Sequence, residues 1–527
     1  MTSRSGQYLS KLLYYLPSRV FKAIAAMLSP MLRTITQPSV PHIKKRPRHV
    51  GGTMHQKSME TFLEGVRELF AAPLDVTKLL QLSGELRLEY LDRLQSSPIS
   101  MLPSYQHTLP SGSETGDYLA LDVGGSTLRI AVIRLLGRKA DGSSDRQVRR
   151  VRQFEIDKSI RDLSGEAFFD WMASRIGEML TMYGHMTGNA SAQLAMGLSW
   201  SFPIEQTSPR SGKLLKMGKG FRATEECSGH DLSELIMRSC RKKNLNVVMR
   251  AIVNDGTATL ISQAYKDPSA RMSLIMGTGM NASVYLPVSA LHRSKFGDRP
   301  QAWFDAADHV LVNTELSMFG KSILPITRWD EDLNSTHQHP GFQPLEYMLT
   351  GRYLGEIVRL ILVDAIADAG LFDGQLPDRL DEPYTLDTKI VAAFEEDASP
   401  NLAAARATFL KAHRMRNKVS QSDLLFVQSV ARLVSRRAQA YLATALHGLW
   451  TLRTEAERLE AGKACHITVA CNGTILEKYP GFRAQTQTYL DKLCVLSGAA
   501  KGAVILEMAP ESSLFGAAVA FCCLEGT

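Results

Sequence analysis

Hydrophobic positions along this chain change period several times, and each change marks an expected element. Leu9, Leu12, Leu13, Leu16, Val20, Ala23, Ile24, Met27 and Met31 recur at three- and four-residue steps. At roughly 100° per residue they share one helical face, with Arg4, Lys11, Arg19, Lys22 and Arg33 largely opposite. Pro17 divides this stretch into two short helices and Pro30 ends the second. Residues 60–94 alternate helically, and 97–113 read as an extended, proline-marked segment. Strand signals follow at 118–122 and 130–136, joined by a glycine turn into a hairpin-like unit. A helix is expected over 165–180, with Phe168, Phe169, Trp171 and Met172 in the core, and further strands at 194–199, 247–253 and 272–276. Beyond Gly341 the pattern is mainly helical, with long segments at 345–367 and 421–449 before a last strand at 466–470. Strands and helices mixed in this order indicate α/β architecture, and there is no solenoid-length repeat.

A length of 527 residues is too much for one ordinary core, so two large lobes are expected. The apolar fraction of 44% and charged fraction of 22% are those of a globular protein. Seven scattered cysteines with no Cys-x-x-Cys pair argue for a reducing compartment and against a zinc module. The net charge of +8 is concentrated at one end. Residues 1–58 hold ten Lys or Arg and no acid, leaving 51 basic against 53 acidic residues elsewhere. The body therefore gives no case for nucleic-acid binding. No stretch of the arm reaches the ~18 uncharged apolar residues of a spanning helix. Its acid-free amphipathic pattern instead predicts association of residues 7–33 with a mitochondrial or other membrane surface, in a protein otherwise placed in the cytoplasm. Lys44-Lys-Arg-Pro-Arg48 leaves a nuclear signal as the weaker alternative.

The chemistry-bearing feature is Asp255 in Ala251-Ile-Val-Asn-Asp-Gly-Thr-Ala-Thr-Leu260, an apolar strand running into a carboxylate. It lies between two glycine-rich turns, Leu121-Asp-Val-Gly-Gly-Ser-Thr-Leu-Arg129 and Leu274-Ile-Met-Gly-Thr-Gly-Met-Asn281. Gly124 and Gly125 let backbone N–H groups approach an anion, Ser126 and Thr127 add hydroxyls, and Arg129 adds charge. Asp122 suits Mg²⁺ held through water, since hard cations take oxygen ligands. A plain tight hairpin is the alternative for this motif taken alone. Gly277-Thr-Gly279 repeats the logic on another strand, and neither turn is a Walker loop or a dinucleotide fingerprint. A strand-end carboxylate can take the proton of an alcohol as its bond to phosphorus forms, or it can cap a following helix over 256–264. Ser201 in Ser199-Trp-Ser-Phe-Pro203 and Lys219 in Met217-Gly-Lys-Gly-Phe221 place polar groups beside apolar walls, as a polyhydroxylated ligand requires. By spacing alone both are ordinary loops.

Taken in order, these segments resemble the hexokinase family from about Met59 to Glu525. The family's first phosphate motif is matched by Leu121–Arg129, Phe-Ser-Phe-Pro by Trp200–Pro203, Thr-Lys-Gly-Phe by Gly218–Phe221, Val-Asn-Asp-Thr by Val253–Gly256 and Gly-Thr-Gly-x-Asn by Gly277–Asn281. Asn313-Thr-Glu315, the segment from His339 to Glu346, Gly351–Leu360 and Asn472-Gly-Thr474 look like further family segments. The resemblance implies an actin-like ATPase (ribonuclease H-like) fold, with two α/β lobes closing over a hexose and MgATP. It implies a basic extension over 1–58, a small-lobe region over 59–257 and a large-lobe region over 258–527. By carry-over Asp255 is the general base on the sugar 6-hydroxyl, with Lys219 and Arg129 also catalytic. Ser201, Lys219, Asn254, Asn281, Glu315 and Glu346 bind the sugar. Asp122, Gly124, Gly125, Ser126, Thr127, Arg129, Gly277, Thr278, Gly279, Gly473 and Thr474 face the nucleotide and its metal. The chain departs from the family at Thr127 (family Asn), Gly218 (Thr), Gly256 (Thr), Leu316-Ser-Met318 (Trp-Gly-Ala), Asn472 (Asp) and Ser513-Leu-Phe-Gly516 (Ser-Gly-x-Gly). The resemblance thus implies a hexose 6-phosphotransferase, the alternative being a weak or inactive sugar sensor.

Overall fold

The computed structural model describes residues 57–138, 145–184, 193–217, 220–459 and 466–524. The arm with its two expected helices, and Gly218 and Lys219, lie outside the described residues. The helix-period stretch after Ser58 forms two helices, α1 (Met59–Ala71) and α2 (Val76–Ser96). Pro73 falls in the single turn between them, and Asp75 restarts the helix by accepting the Thr77 and Lys78 N–H groups, each at 3.1 Å.

The strands are β1 (Leu102–Pro103), β2 (Thr115–Val123), β3 (Thr127–Leu136), β4 (Arg146–Glu155), β5 (Leu194–Trp200), β6 (Ile204–Ser208), β7 (Ser211–Leu214), β8 (Val247–Val253), β9 (Ala270–Met276), β10 (Met280–Pro287), β11 (His309–Asn313), β12 (Ile467–Asn472) and β13 (Val504–Met508). The helices that position the site are α3 (Ala167–Tyr183), α4 (Leu232–Lys242), α5 (Asp255–Lys266), α6 (Arg328–Thr336), α7 (Pro344–Leu349), α8 (Leu354–Ala369), α9 (Gln421–Ala456), α10 (Phe482–Leu496) and α11 (Ser512–Ala520). One sheet runs β4-β3-β2-β5-β8, with β2, β5 and β8 parallel; a second runs β1-β11-β10-β9-β12-β13, with β9, β12 and β13 parallel. β6 and β7 form a separate hairpin.

Near-continuous apolar runs mark the parallel strands, as burial on both faces requires. Leu119, Leu121 and Ile130 on one face of the first sheet pack against Phe168, Phe169 and Met172 of α3 and Leu235 and Ile236 of α4. On the other face Ala120, Ala131, Ala251 and Val253 meet α5 and α11, and the same cluster takes in Ala270 and Leu311 of the second sheet. Those two helices therefore lie between the sheets. α1, α2, α9 and α10 pack into the core of the second sheet although α1 and α2 come first in the chain, because their apolar faces meet α9.

α11 approaches both α5 and strand β5 backbone to backbone. A Cβ on Gly516 would stand 2.0 Å from the Ala258 carbonyl oxygen, and one on Gly197 would stand 1.9 Å from that of Ala517. The single helix expected over 345–367 is two helices, α7 and α8. The break comes where Gly351 N–H leaves the helical ladder and donates to the Gly277 carbonyl at 2.9 Å. β4, β6, β7, β10, β11 and β13 went unforeseen; the arginines of β4 conceal an edge strand whose outward positions are solvated.

Candidate active site

Asp255, Glu315 and the glycine turns at 124, 277–279 and 473 each fall at the C-terminal end of a strand or in the turn that follows it. β2, β5 and β8 end side by side, with Val123 opposite Trp200 and Ser199 opposite Val253. They deliver Gly124, Ser201 and Asn254-Asp255 to one edge of the first sheet, the edge at which open α/β sheets bind ligands. On the second sheet β9 delivers Gly277–Gly279, β12 delivers Gly473-Thr474, and β11, parallel in direction to β9, delivers Glu315.

Asp255 opens α5, and its neighbour Asn254 is the cap. Asn254 Oδ1 and Asp255 Oδ1 accept the same Gly256 N–H, at 2.9 and 2.8 Å. Capping of α5 thus falls to Asn254 rather than to Asp255. Asp255 Oδ2 accepts from the Ser201 hydroxyl at 3.2 Å. α5 is locked to the second sheet at its first turn, where Ser273 Oγ donates to the Gly256 carbonyl at 2.7 Å. A Cβ on Gly256 would stand 2.8 Å from Ser283 Oγ. Ser283 thus fills the space beside the glycine that replaces the family's threonine.

Asn281 donates to Asn313 Oδ1 at 2.8 Å, and Asn313 donates to Glu315 Oε1 at 2.9 Å. Glu315 sits in the left-handed region (φ 53°), which turns its carboxylate back toward that pair. Burial raises the Glu315 pKa, and the charge of Asp255 raises it further against the opposing Asn313 bond. The two carboxylates therefore share one field. Glu346, buried on α7, accepts from the Met280 N–H at 3.1 Å and is coupled to the second glycine turn directly.

At the first turn Gly124 N–H donates to the Thr127 carbonyl at 3.0 Å, closing the hairpin; Gly124, Gly125 and Thr127 are half-buried and Ser126 is exposed. Arg129 donates to Asp122 Oδ2 through Nε at 3.0 Å and Nη2 at 2.6 Å, and to Glu511 at 2.8 Å. Burial works against the guanidinium charge, but Asp122 and then Glu511 outweigh it and hold its pKa above the ordinary value. Gly277 N–H donates to the Gly279 carbonyl at 2.9 Å, and a Cβ on Gly277 would meet Thr474 Oγ1 at 3.5 Å. Gly473 adopts φ 111°, and a Cβ there would stand 2.3 Å from the Met276 carbonyl oxygen, so only glycine fits. Asn472 donates to Ser512 Oγ at 2.5 Å and to the Ala509 carbonyl at 3.1 Å, joining this turn to α11.

Sequence reasoning missed Asn313 as the bridge between Asn281 and Glu315, and Glu511 as the second partner of Arg129. Asn313 was inside a quoted motif. Glu511 carried no local signal, because its partner is distant in sequence and its backbone is left-handed (φ 55°). For Mg²⁺, Asp122 supplies one carboxylate beside the first glycine turn. Both Arg129 bonds go to Oδ2, and Oδ1 bonds nothing among the described residues. That fits a cation held through water with phosphate oxygens as its other ligands.

Two family models, both described as Hexokinase, match residues 67–265 and 271–523. A hexokinase of Schwanniomyces occidentalis is 27% identical over 447 residues, covering 82% of this chain and 89% of its own length. Hexokinase-2 of Candida albicans is 27% identical over 484 residues, covering 89% and 96%. The solved hexokinase from Schistosoma mansoni complexed with glucose superposes with a TM-score of 0.72 at 28% identity, over 89% of this chain and 100% of that one. With matches in both halves of the chain and motif turns at the strand ends of both sheets, the chain belongs to the hexokinase family, sugar kinases of the actin-like ATPase fold that transfer a phosphoryl group to an alcohol.

Proposed function

We propose that this protein phosphorylates the 6-hydroxyl of a hexose, drawn from glucose, fructose and mannose, with Asp255 as general base. The observation that carries the reading is the Ser201–Asp255 pair at the junction of the two sheets, with Glu315 in the same electrostatic field. A sugar hydroxyl is a poor nucleophile until its proton is taken in the transition state. Asp255 Oδ2 is oriented by Ser201, and Oδ1 by the Gly256 N–H, so the carboxylate is held before substrate arrives. Asn254, Asn281, Glu315 and Glu346 supply directed acceptors and donors for the other hydroxyls, with Lys219 assigned here from sequence. ATP with Mg²⁺ supplies the phosphoryl group and charge neutralisation. Asp122 and Arg129 hold the metal side, and the N–H groups of the two glycine turns, with Gly473 and Thr474, hold the phosphates and nucleoside. A coupled assay across glucose, fructose, mannose and N-acetylglucosamine tests this. Sugar binding without sugar-phosphate formation would leave a regulator in its place.

Glu315 must be ionised to accept sugar hydroxyls, and its raised pKa sets where that fails. The KM for sugar is expected to climb as pH falls, starting above the ordinary glutamate range, and Glu315→Gln is expected to flatten that acid limb. A KM–pH profile unchanged by the substitution would remove Glu315 from the sugar site. The sign for stability is opposite. A folded pKa above the unfolded one stabilises the fold at low pH, and this is lost as pH rises through the raised value.

The arm extends the reading to location. Its acid-free amphipathic sequence supports attachment of residues 7–33 to a mitochondrial or other membrane surface. A tagged chain lacking residues 1–35 is expected to lose that distribution; an unchanged distribution refutes the attachment.

A further inference from the structure

One short stretch of chain backs the whole second glycine turn. Glu346 Oε2 accepts from Met280 N–H at 3.1 Å, and Thr350 Oγ1 donates to the Thr278 carbonyl at 2.9 Å. Gly351 N–H donates to the Gly277 carbonyl at 2.9 Å. The approach is close enough that a Cβ on Gly279 would stand 2.8 Å from Glu346 Oε2, and one on Gly351 would stand 2.9 Å from the Gly277 oxygen. Thr350 is fully buried, and its own carbonyl accepts the Tyr353 and Leu354 N–H groups that begin α8. Its backbone is therefore fixed, and of the two carbonyls its hydroxyl can reach, that of Thr278 at 2.9 Å is nearer than that of Glu346 at 3.3 Å.

The consequence follows from peptide geometry. In a planar trans peptide the C=O and the next N–H point in opposite directions. Holding the Gly277 carbonyl on Gly351 turns the Thr278 N–H away from the 346–351 stretch, and holding the Thr278 carbonyl on Thr350 does the same for the Gly279 N–H. Two successive N–H groups facing one way make an anion-binding concavity. The first turn is held differently: its Val123 and Ser126 carbonyls accept from Ser201 and Ile156 N–H at 3.2 and 2.8 Å, and Gly124 N–H is turned into its own hairpin, to Thr127.

We propose that Thr350 is a positioning residue for nucleotide phosphate: its hydroxyl, by anchoring the Thr278 carbonyl, sets the direction of the Gly279 N–H. It touches neither substrate. The proposal rests on the reading of Gly277–Gly279 as a phosphate turn, and places that turn and the sugar-side Glu346 on one continuous strap.

The test is calorimetric titration of the full chain with a non-hydrolysable ATP analogue plus Mg²⁺ at saturating glucose, and separately with glucose alone. Thr350→Val removes the hydroxyl and keeps the shape. It is expected to weaken the analogue about tenfold, as leaving one buried carbonyl unpaired does, while glucose affinity stays within about twofold. Thr350→Ser restores the hydroxyl and is expected to restore nucleotide binding. Nucleotide binding unchanged in the valine variant overturns the proposal, and so does an equal loss of glucose and nucleotide affinity, which marks a general packing role. A native chain that binds neither ligand overturns the proposed function itself, and is seen before any variant is made.

Discussion

Asp255→Asn is expected to lower kcat by about 10²–10⁴-fold, the usual worth of a positioned general base, in a protein that still folds and still binds sugar. The amide keeps the shape of the carboxylate: its oxygen can take the Oδ1 place and accept from Gly256 N–H, and its NH2 then takes the Oδ2 place, where the Ser201 hydroxyl can rotate to accept from it. The helix start does not depend on the charge either, because Asn254 is the cap. What disappears is the ability to take a proton. Sugar affinity should change by no more than about one to two decades, the scale of one hydrogen bond to a charged group. The separation of kcat from binding is the diagnostic result. Turnover within tenfold of the native chain would remove Asp255 from the base role and leave it as a sugar contact.

Asp330→Ala is expected to destabilise the fold by about 3–5 kcal/mol, because it strands a buried cation. Arg437, in the middle of α9, is wholly buried and reaches Asp330 through Nη1 and Nη2 at 2.6 and 2.7 Å. Its guanidinium also lies 4.3 Å over the Phe70 ring of α1. Asp330 accepts the Thr327 N–H and hydroxyl at 2.7 Å each, the capping box that starts α6. The ion pair therefore ties α6 to α9, and its guanidinium reaches α1. Denaturant unfolding checks the value, and a loss under about 1 kcal/mol refutes it. Asp330→Leu with Arg437→Met should recover most of the loss, since replacing both members of a buried pair removes the unpaired charge. Burial alone would raise the Asp330 pKa, but Arg437 overrides it and holds the value below the ordinary range. A folded pKa below the unfolded one means the stabilisation is whole above the ordinary aspartate range and is lost as pH falls through the depressed value.

The site was more legible in the sequence than the fold around it. Glycine turns and strand-end carboxylates are local signals: Gly124 and Gly277 directly follow a strand, Asp255 comes two residues after one, and at 473 only glycine fits. Strand 247–253 matches its expected bounds because an apolar run ending at a polar pair is unambiguous. What escaped was whatever depends on a distant partner. The break at Thr350–Tyr353 is announced only by Thr350-Gly351-Arg352, a signal helices often tolerate; it exists because the Gly277 carbonyl takes the Gly351 N–H. β4 escaped because edge exposure replaces alternation with arginines. Arg129 was legible, while Glu511, which completes its pairing from across the chain, was not.

The backbone-to-backbone approach of α11 to α5 and to β5 has a consequence for how this protein will look to genetics. Gly197 and Gly516 face backbone of neighbouring elements, and neither has room for a single added carbon. A selection for loss of sugar phosphorylation will recover substitutions at these glycines alongside those at Asp255. Only the amount of soluble protein in each mutant will tell a spoiled scaffold from a spoiled reaction.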